Sequence, residues 1–298
     1  MSLSVDPLWP RAGSWPSLAD LPDDQVDLAL IGLPTWRTSL SPTGAHATPG
    51  AVREALQRYS LHAPELAVEA LRFADAGDVV EPDGPEGERR AIGAVREAVS
   101  RSRLTVAVGG DNSLTVPASL GAWGDEVSTA GLVTLDAHHD LRDGVSNGSP
   151  VRRLVEAGLA GRRIVQIGIA DFANSAAYAL RALEYGITVI PRDDLHHRPI
   201  DDVMAEALEV AGAAGGPVHV DLDVDVCDRS VAPGCPASVP GGLAAWELRR
   251  FARLAGADSR VRSIDIAEVD ATADTPDQRT VRLAALLVLE AAAGLASR

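Results

Sequence analysis

Gly131-Leu132-Val133-Thr134-Leu135-Asp136-Ala137-His138-His139-Asp140 runs from an unbroken apolar segment straight into charged residues. An apolar run with little polar alternation is what a strand buried on both faces of a parallel sheet requires. A second stretch, 217–224 (PVHVDLDV), continuing to Asp228, repeats the pattern. Further runs of this kind occupy 26–33, 104–109, 163–169, 187–191 and 261–266. Between them lie helix-like segments at 48–60, 86–102, 113–122, 150–159, 174–185, 201–213, 244–255 and 280–296. Strand–helix alternation reads as α/β with a parallel sheet. Periodicity alone leaves an open doubly wound sheet and a (β/α)8 barrel both available. No Gly-, Ser- or Pro-rich linker divides the chain and no internal repeat is visible. The expectation is one unit over 1–298, with 1–25 as an N-terminal extension and 81–87 as a surface turn.

The chain has 298 residues, 46% of them apolar and 23% charged, enough for a sizeable core. Its net charge of -15 argues against nucleic acid as a partner, since phosphate binding needs clustered Lys and Arg. Cys227 and Cys235 are the two cysteines, too few for a disulfide framework, and read as free thiols in a reducing compartment. No signal peptide is evident. The apolar stretch 280–296 contains Arg282 and Glu290 and reads as a buried helix, not a membrane span. A cytoplasmic protein with no membrane partner is expected.

Two clusters of acids follow strands. In Asp136-Ala137-His138-His139-Asp140, alternation brings Asp136, His138 and Asp140 to one side if the extended geometry continues. In Asp221-Leu222-Asp223-Val224-Asp225 the acids alternate again. Buried charges need pairing or a metal, and oxygen with imidazole donors suits Mn²⁺ or a similar divalent ion. Asp136, Asp140, Asp223 and Asp225 carry four negative charges, which two divalent cations would cancel. The plainer alternative, strand-end caps and solvated turns, serves one cluster well and two poorly. A third motif, Gly109-Gly110-Asp111-Asn112-Ser113, joins a strand to a helix that Asn112 or Ser113 could cap. No Lys follows the glycines, so a phosphate loop is disfavoured.

Together these motifs resemble the ureohydrolase (arginase/agmatinase/formimidoylglutamase) superfamily. GGDNS at 109–113 is similar to its GGDHS, DAHHD at 136–140 to its DAHxD, and DLDVDVCD at 221–228 to its SxDxDxxDP. AHATPGAVREAL at 45–56, DIAEVDAT at 265–272 and TVRLAALLV at 280–288 extend the resemblance over roughly 26–296. The resemblance implies a three-layer α/β/α sandwich around a parallel sheet, two Mn²⁺ ions at its carboxyl edge, and an activated water attacking an amidine or guanidine carbon. It implies Asp136 and Asp223 as shared ligands, Asp140 completing one metal site, and His138 with Asp225 completing the other. Asp140 and Glu268 then serve catalysis, Glu268 also pairing with the substrate's cationic nitrogens. Trimers or hexamers are implied as well.

Two positions depart from the pattern. Asn112 stands where the superfamily has a metal-ligating His, which predicts a weak or empty first site. Asn147, in Ser146-Asn147-Gly148-Ser149-Pro150, replaces the His of SHGTP, a proton shuttle; Asn147 and Ser149 are expected to contact substrate, and His139 becomes a candidate for proton transfer. Arg142, in DAHHDLRDG, and the stretch GIADFANS at 168–175 resemble the formimidoylglutamase branch. Arg142 can fork onto an α-carboxylate, so N-formimidoyl-L-glutamate is the expected substrate. Agmatine, arginine or another guanidino acid is the alternative, and a catalytically impaired binding homologue is the alternative of another class.

Overall fold

The computed structural model describes residues 6–22 and 25–298, so part of the expected extension 1–25 lies outside the described residues. The strands are β1 (Val26–Leu33), β2 (Phe73–Asp78), β3 (Ser102–Gly109), β4 (Gly131–Leu135), β5 (Ile164–Ile169), β6 (Thr188–Pro191), β7 (Val218–Asp223) and β8 (Val261–Ala267). The helices are α1 (Thr48–Leu56), α2 (Gly84–Ser100), α3 (Thr115–Trp123), α4 (Pro150–Glu156), α5 (Ala176–Tyr185), α6 (Ile200–Ala211), α7 (Ala245–Ala257) and α8 (Arg279–Leu295). All strands join one sheet, ordered β2-β1-β3-β8-β7-β4-β5-β6 and parallel at each pairing. The sheet is open, which decides between the doubly wound and barrel alternatives. Helices α1, α6, α7 and α8 cover one face and α2 to α5 the other, giving the α/β/α sandwich.

Strands β4, β5 and β7 are buried at every position, because helices on both faces leave no solvated side. Strand β2, with the sequence FADAGD, has no counterpart among the apolar runs. It is an edge strand whose last four residues are half-buried or exposed, so it needs few apolar side chains. Residues 15–17 shield that edge: Trp15 stacks on Phe73 at 4.6 Å and Asp75 N donates to Pro16 O at 2.9 Å. Helix α8 is largely buried, and no helix among the described residues is long and apolar enough to cross a membrane. Both cysteines are free and buried.

The chain order places the site. Strands β1 to β3 build one half of the sheet and β4 to β6 the other; β7 and β8 fill the gap between β3 and β4. A reversal of strand order opens a crevice beyond the carboxyl ends of the strands. The neighbours β3, β8, β7 and β4 thus deliver Asn112, Glu268, Asp223 with Asp225, and Asp136 with Asp140 to one edge.

Candidate active site

The two acid clusters do meet, but through turns and not through strand alternation. Strand β4 ends at Leu135, and the segment after it folds back, with Asp140 at φ 54°. Asp136 Oδ1 accepts from His138 N at 2.6 Å, and Asp225 Oδ1 accepts from Ala137 N at 2.9 Å. Strand β7 ends at Asp223, whose Oδ1 accepts from Asp225 N at 2.8 Å and caps a single turn, Val224–Val226. Short carboxylates bonding their own backbone two residues on are the usual means of such turns. The extended geometry expected for both clusters is therefore replaced by side-chain-capped turns. His138 Nδ1 lies 2.6 Å from Asp225 Oδ2 and 3.5 Å from Asp136 Oδ1. Ligand atoms of Asp136, His138 and Asp225 all lie within 4.8 Å of one another.

Asp140, Asp223, Asp225, His138 and Glu268 line a cavity of about 430 Å³, together with Leu40, Arg142, Asn147, Gly148, Phe172, Asn174 and Tyr178. Its electrostatics call for added positive charge. Burial, then Asp225, raises Asp136 to about 7. Burial, then neighbouring carboxylates, pushes Asp140 and Asp223 well above the ordinary range. Burial lifts Glu268 to about 8, against the hydrogen bond from Asn147. Burial pulls His138 down, but Asp225 and Asp136 outweigh it and hold it at about 12; burial likewise opposes the ionised form of Asp225, and His138 overcomes it. A cluster that retains protons so strongly is one whose ligands divalent cations can compete for. The oxygen and imidazole donors fit Mn²⁺.

Glu268 follows β8 with φ 59°. Its Oε1 accepts from Asn112 N at 2.8 Å and Asn147 Nδ2 at 2.7 Å, leaving Oε2 without a protein partner among the described residues. Asn147 Oδ1 in turn accepts from Leu40 N at 3.0 Å. Asn112 joins the site in an orientation the sequence did not suggest. Its Nδ2 donates to Asp140 Oδ2 at 2.5 Å, while its Oδ1 accepts from Thr115 Oγ1 at 2.7 Å. It thus presents a donor, not a ligand oxygen, to the acids. Asp111, not Asn112 or Ser113, caps the following turn, accepting from Ser113 N at 3.2 Å. Gly110 has no room for a side chain: an added Cβ would lie 1.9 Å from Thr35 O.

Two expected site residues sit elsewhere. His139 is buried with its Nδ1 2.7 Å from Gln166 Oε1, and burial lowers its pKa, so it does not line the cavity. Ser149 is fully buried; its Oγ donates to Ser146 O at 2.8 Å and accepts from Ser146 N at 3.0 Å, closing the turn before α4 instead of meeting the cavity. Arg142 does reach the cavity, exposed, and among the described residues its guanidinium has no hydrogen-bond or ion-pair partner. Asp221 lies deeper in β7, raised by burial and then by Asp265.

The structure gives the Asn and Ser of the GIADFANS stretch roles that the sequence did not. Asn174 Nδ2 donates to Ala137 O at 2.8 Å and its Oδ1 accepts from His139 N at 2.9 Å, pinning the β5–α5 loop to the Asp136–Asp140 turn. Ser175 Oγ accepts from Tyr178 N at 3.3 Å and caps α5. GIADFANS thus has a structural explanation for its Asn and Ser. Leu40 and Phe172 carried no sequence signal, being single apolar residues in loops.

The Arginase family model matches residues 26–294. The formimidoylglutamase of Halalkalibacterium halodurans is 35% identical over 271 residues, covering 87% of this chain and 84% of that protein. The guanidinopropionase of Pseudomonas aeruginosa is 32% identical over 283 residues, covering 90% and 86%. Among solved structures, the formimidoylglutamase of Bacillus subtilis superposes with a TM-score of 0.91 at 31% identity, covering 99% of this chain and 94% of that one. The formiminoglutamase of Trypanosoma cruzi with Mn²⁺ superposes at 0.86 with 24% identity, a likeness of fold.

Proposed function

Because the chain belongs to the arginase family, we propose that it hydrolyses N-formimidoyl-L-glutamate to L-glutamate and formamide. The observation that carries a carboxylate-bearing substrate is Arg142, an unpartnered guanidinium lining the same cavity as the acids. A guanidinium fork matches a carboxylate bidentately, and agmatine has none to offer. The formimidoylglutamase relatives support the same reading.

Asp136 and Asp223 would be shared by two divalent ions, His138 with Asp225 completing one site and Asp140 the other. When bound, the Mn²⁺ pair supplies a water acidic enough to attack at neutral pH. The chain's own residues do the rest. Glu268 Oε2, free of protein donors, accepts from the amidinium nitrogens, while Asn112 and Asn147 hold Oε1 and so fix the carboxylate plane. Arg142 stands at the exposed rim, away from the buried acids, so it anchors the distal carboxylate instead of the α-carboxylate and thereby orients the amidine carbon. Asp140 takes the proton of the attacking water and returns it to the departing amino nitrogen, in place of the absent histidine at 147. The hydrogen bonds of Asn147 to Leu40 N and of Asn174 to Ala137 O hold the loops that wall the cavity. A cytoplasmic homo-oligomer completes the proposal.

The test is a substrate panel on Mn²⁺-supplemented protein: N-formimidoyl-L-glutamate, 3-guanidinopropionate, 4-guanidinobutyrate, arginine and agmatine. Formamide release with the highest kcat/KM for the first supports the reading. Any other compound of the panel as the best substrate overturns it.

A further inference from the structure

Six described non-glycine residues have left-handed backbone, and three of them, Asp140 (φ 54°), Phe172 (φ 63°) and Glu268 (φ 59°), line the active-site cavity. Left-handed backbone is unfavourable for a residue with a Cβ, and such residues collect at functional sites. The two acids have chemistry that accounts for it. Phe172 has none, and its side chain is fully exposed, at 104% relative area, so packing within the chain recovers nothing.

The loop is nonetheless held in place. Asn174 ties it to Ala137 O and Ala170 O at 2.8 and 3.3 Å, and Ala170 N donates to Ala137 O at 3.0 Å. The phenyl ring is therefore presented at the cavity wall by a fixed backbone. A second exposed apolar side chain, Leu40, lines the same cavity. Leu40 and Arg142 crowd together over Gly148, where an added Cβ would lie 2.6 Å from Arg142 Cδ and 3.2 Å from Leu40 Cδ1. A carboxylate held by Arg142 brings its methylenes to this apolar rim.

We infer that Phe172 is a specificity-determining residue, which with Leu40 encloses the hydrocarbon segment between the substrate's amidine and its distal carboxylate. The inference rests on the proposed amidino-acid activity. Contact with those methylenes covers a ring that is otherwise solvated, and so offsets the backbone strain only when substrate is bound. Length is then read between Glu268 and Arg142, with an apolar wall between them.

The experiment measures kcat and KM for N-formimidoyl-L-glutamate and N-formimidoyl-L-aspartate, one methylene shorter, with wild type, Phe172→Ala, Phe172→Leu and Phe172→Gly. In the alanine variant KM for the glutamate compound is expected to rise roughly tenfold with kcat little changed, and the preference over the aspartate compound, roughly tenfold or more in wild type, to shrink. Phe172→Leu should recover part of both. Phe172→Gly, which relieves the left-handed strain, should keep or raise Tm while losing affinity. Unchanged KM for both compounds in the alanine and glycine variants overturns this inference alone. A fall in Tm or a change of oligomeric state in Phe172→Gly would also overturn it, by assigning the ring to packing or a subunit contact. Wild type that turns over neither compound overturns the functional reading and this inference with it.

Discussion

Metal loading should expel protons, in a number set by the electrostatics of the metal-free cluster. His138, pulled down by burial but held at about 12 by Asp225 and Asp136, carries its proton at pH 7. Asp136, at about 7 through burial and then Asp225, is half protonated. Asp140 and Asp223, pushed well up by burial and their neighbours, add up to one proton each. Coordination needs the free bases, so filling both sites should release between about 1.5 and 3.5 protons per chain near pH 7. The His138 proton alone makes the apparent binding constant climb about tenfold per pH unit, about 100-fold from pH 6 to pH 8. Stability follows the same sign. The raised carboxyls favour the folded metal-free state below their unfolded pKa, and that contribution fades as pH rises through their folded values; the His138 contribution fades from its ordinary pKa toward about 12. Tm of stripped protein should thus fall from pH 6 to pH 8 while the Mn²⁺-induced increase grows. Titration calorimetry in buffers of different ionisation enthalpy counts the protons directly. A heat independent of buffer, with affinity flat over this range, would refute the claim that these residues are protonated ligands.

Other outcomes follow from single side chains. Arg142→Ala should raise KM for N-formimidoyl-L-glutamate by roughly 10- to 100-fold, the loss of a charge-assisted hydrogen bond, and leave a decarboxylated analogue nearly unaffected; equal effects on both compounds count against a carboxylate anchor. Asn112→His replaces an amide that turns its donor toward Asp140 with an imidazole, and should tighten the weaker of two Mn²⁺ binding events in calorimetry. Two equally tight wild-type sites with no gain in the variant would assign Asn112 to helping hold Asp140 instead. Leu222→Ala, in a side chain wholly buried in β7, should cost about 2–5 kcal/mol by denaturant unfolding, and a smaller loss would mean the central sheet repacks around the cavity.

The sheet was legible because parallel strands buried on both faces leave apolar runs: 26–33 coincides with β1, and β4, β5, β7 and β8 differ from their runs by a residue or so at the ends. β2 was not, since an edge strand with two buried residues and four half-buried or exposed ones leaves no such run. Which acids would meet was readable from their position after strands. How they meet was not. Period-two alternation projects Asp136, His138 and Asp140 along an extended chain, whereas the carboxylates of Asp136 and Asp223 bond their own following amides and turn it. The turning of His139 toward Gln166 and the enclosure of Ser149 depend on partners 27 residues away and three residues away respectively, with no local pattern to announce either. Phe172 is a like case, since nothing in ADFANS marks one residue for left-handed backbone.

The most direct test of the account is formamide release from N-formimidoyl-L-glutamate by metal-stripped protein as Mn²⁺ is added back. Stripped protein should show no turnover, activity should rise with added Mn²⁺ and saturate at about two ions per chain, and no such recovery should occur when Asp223 is replaced by Ala. Turnover that is indifferent to Mn²⁺, or full recovery in Asp223→Ala, would contradict it.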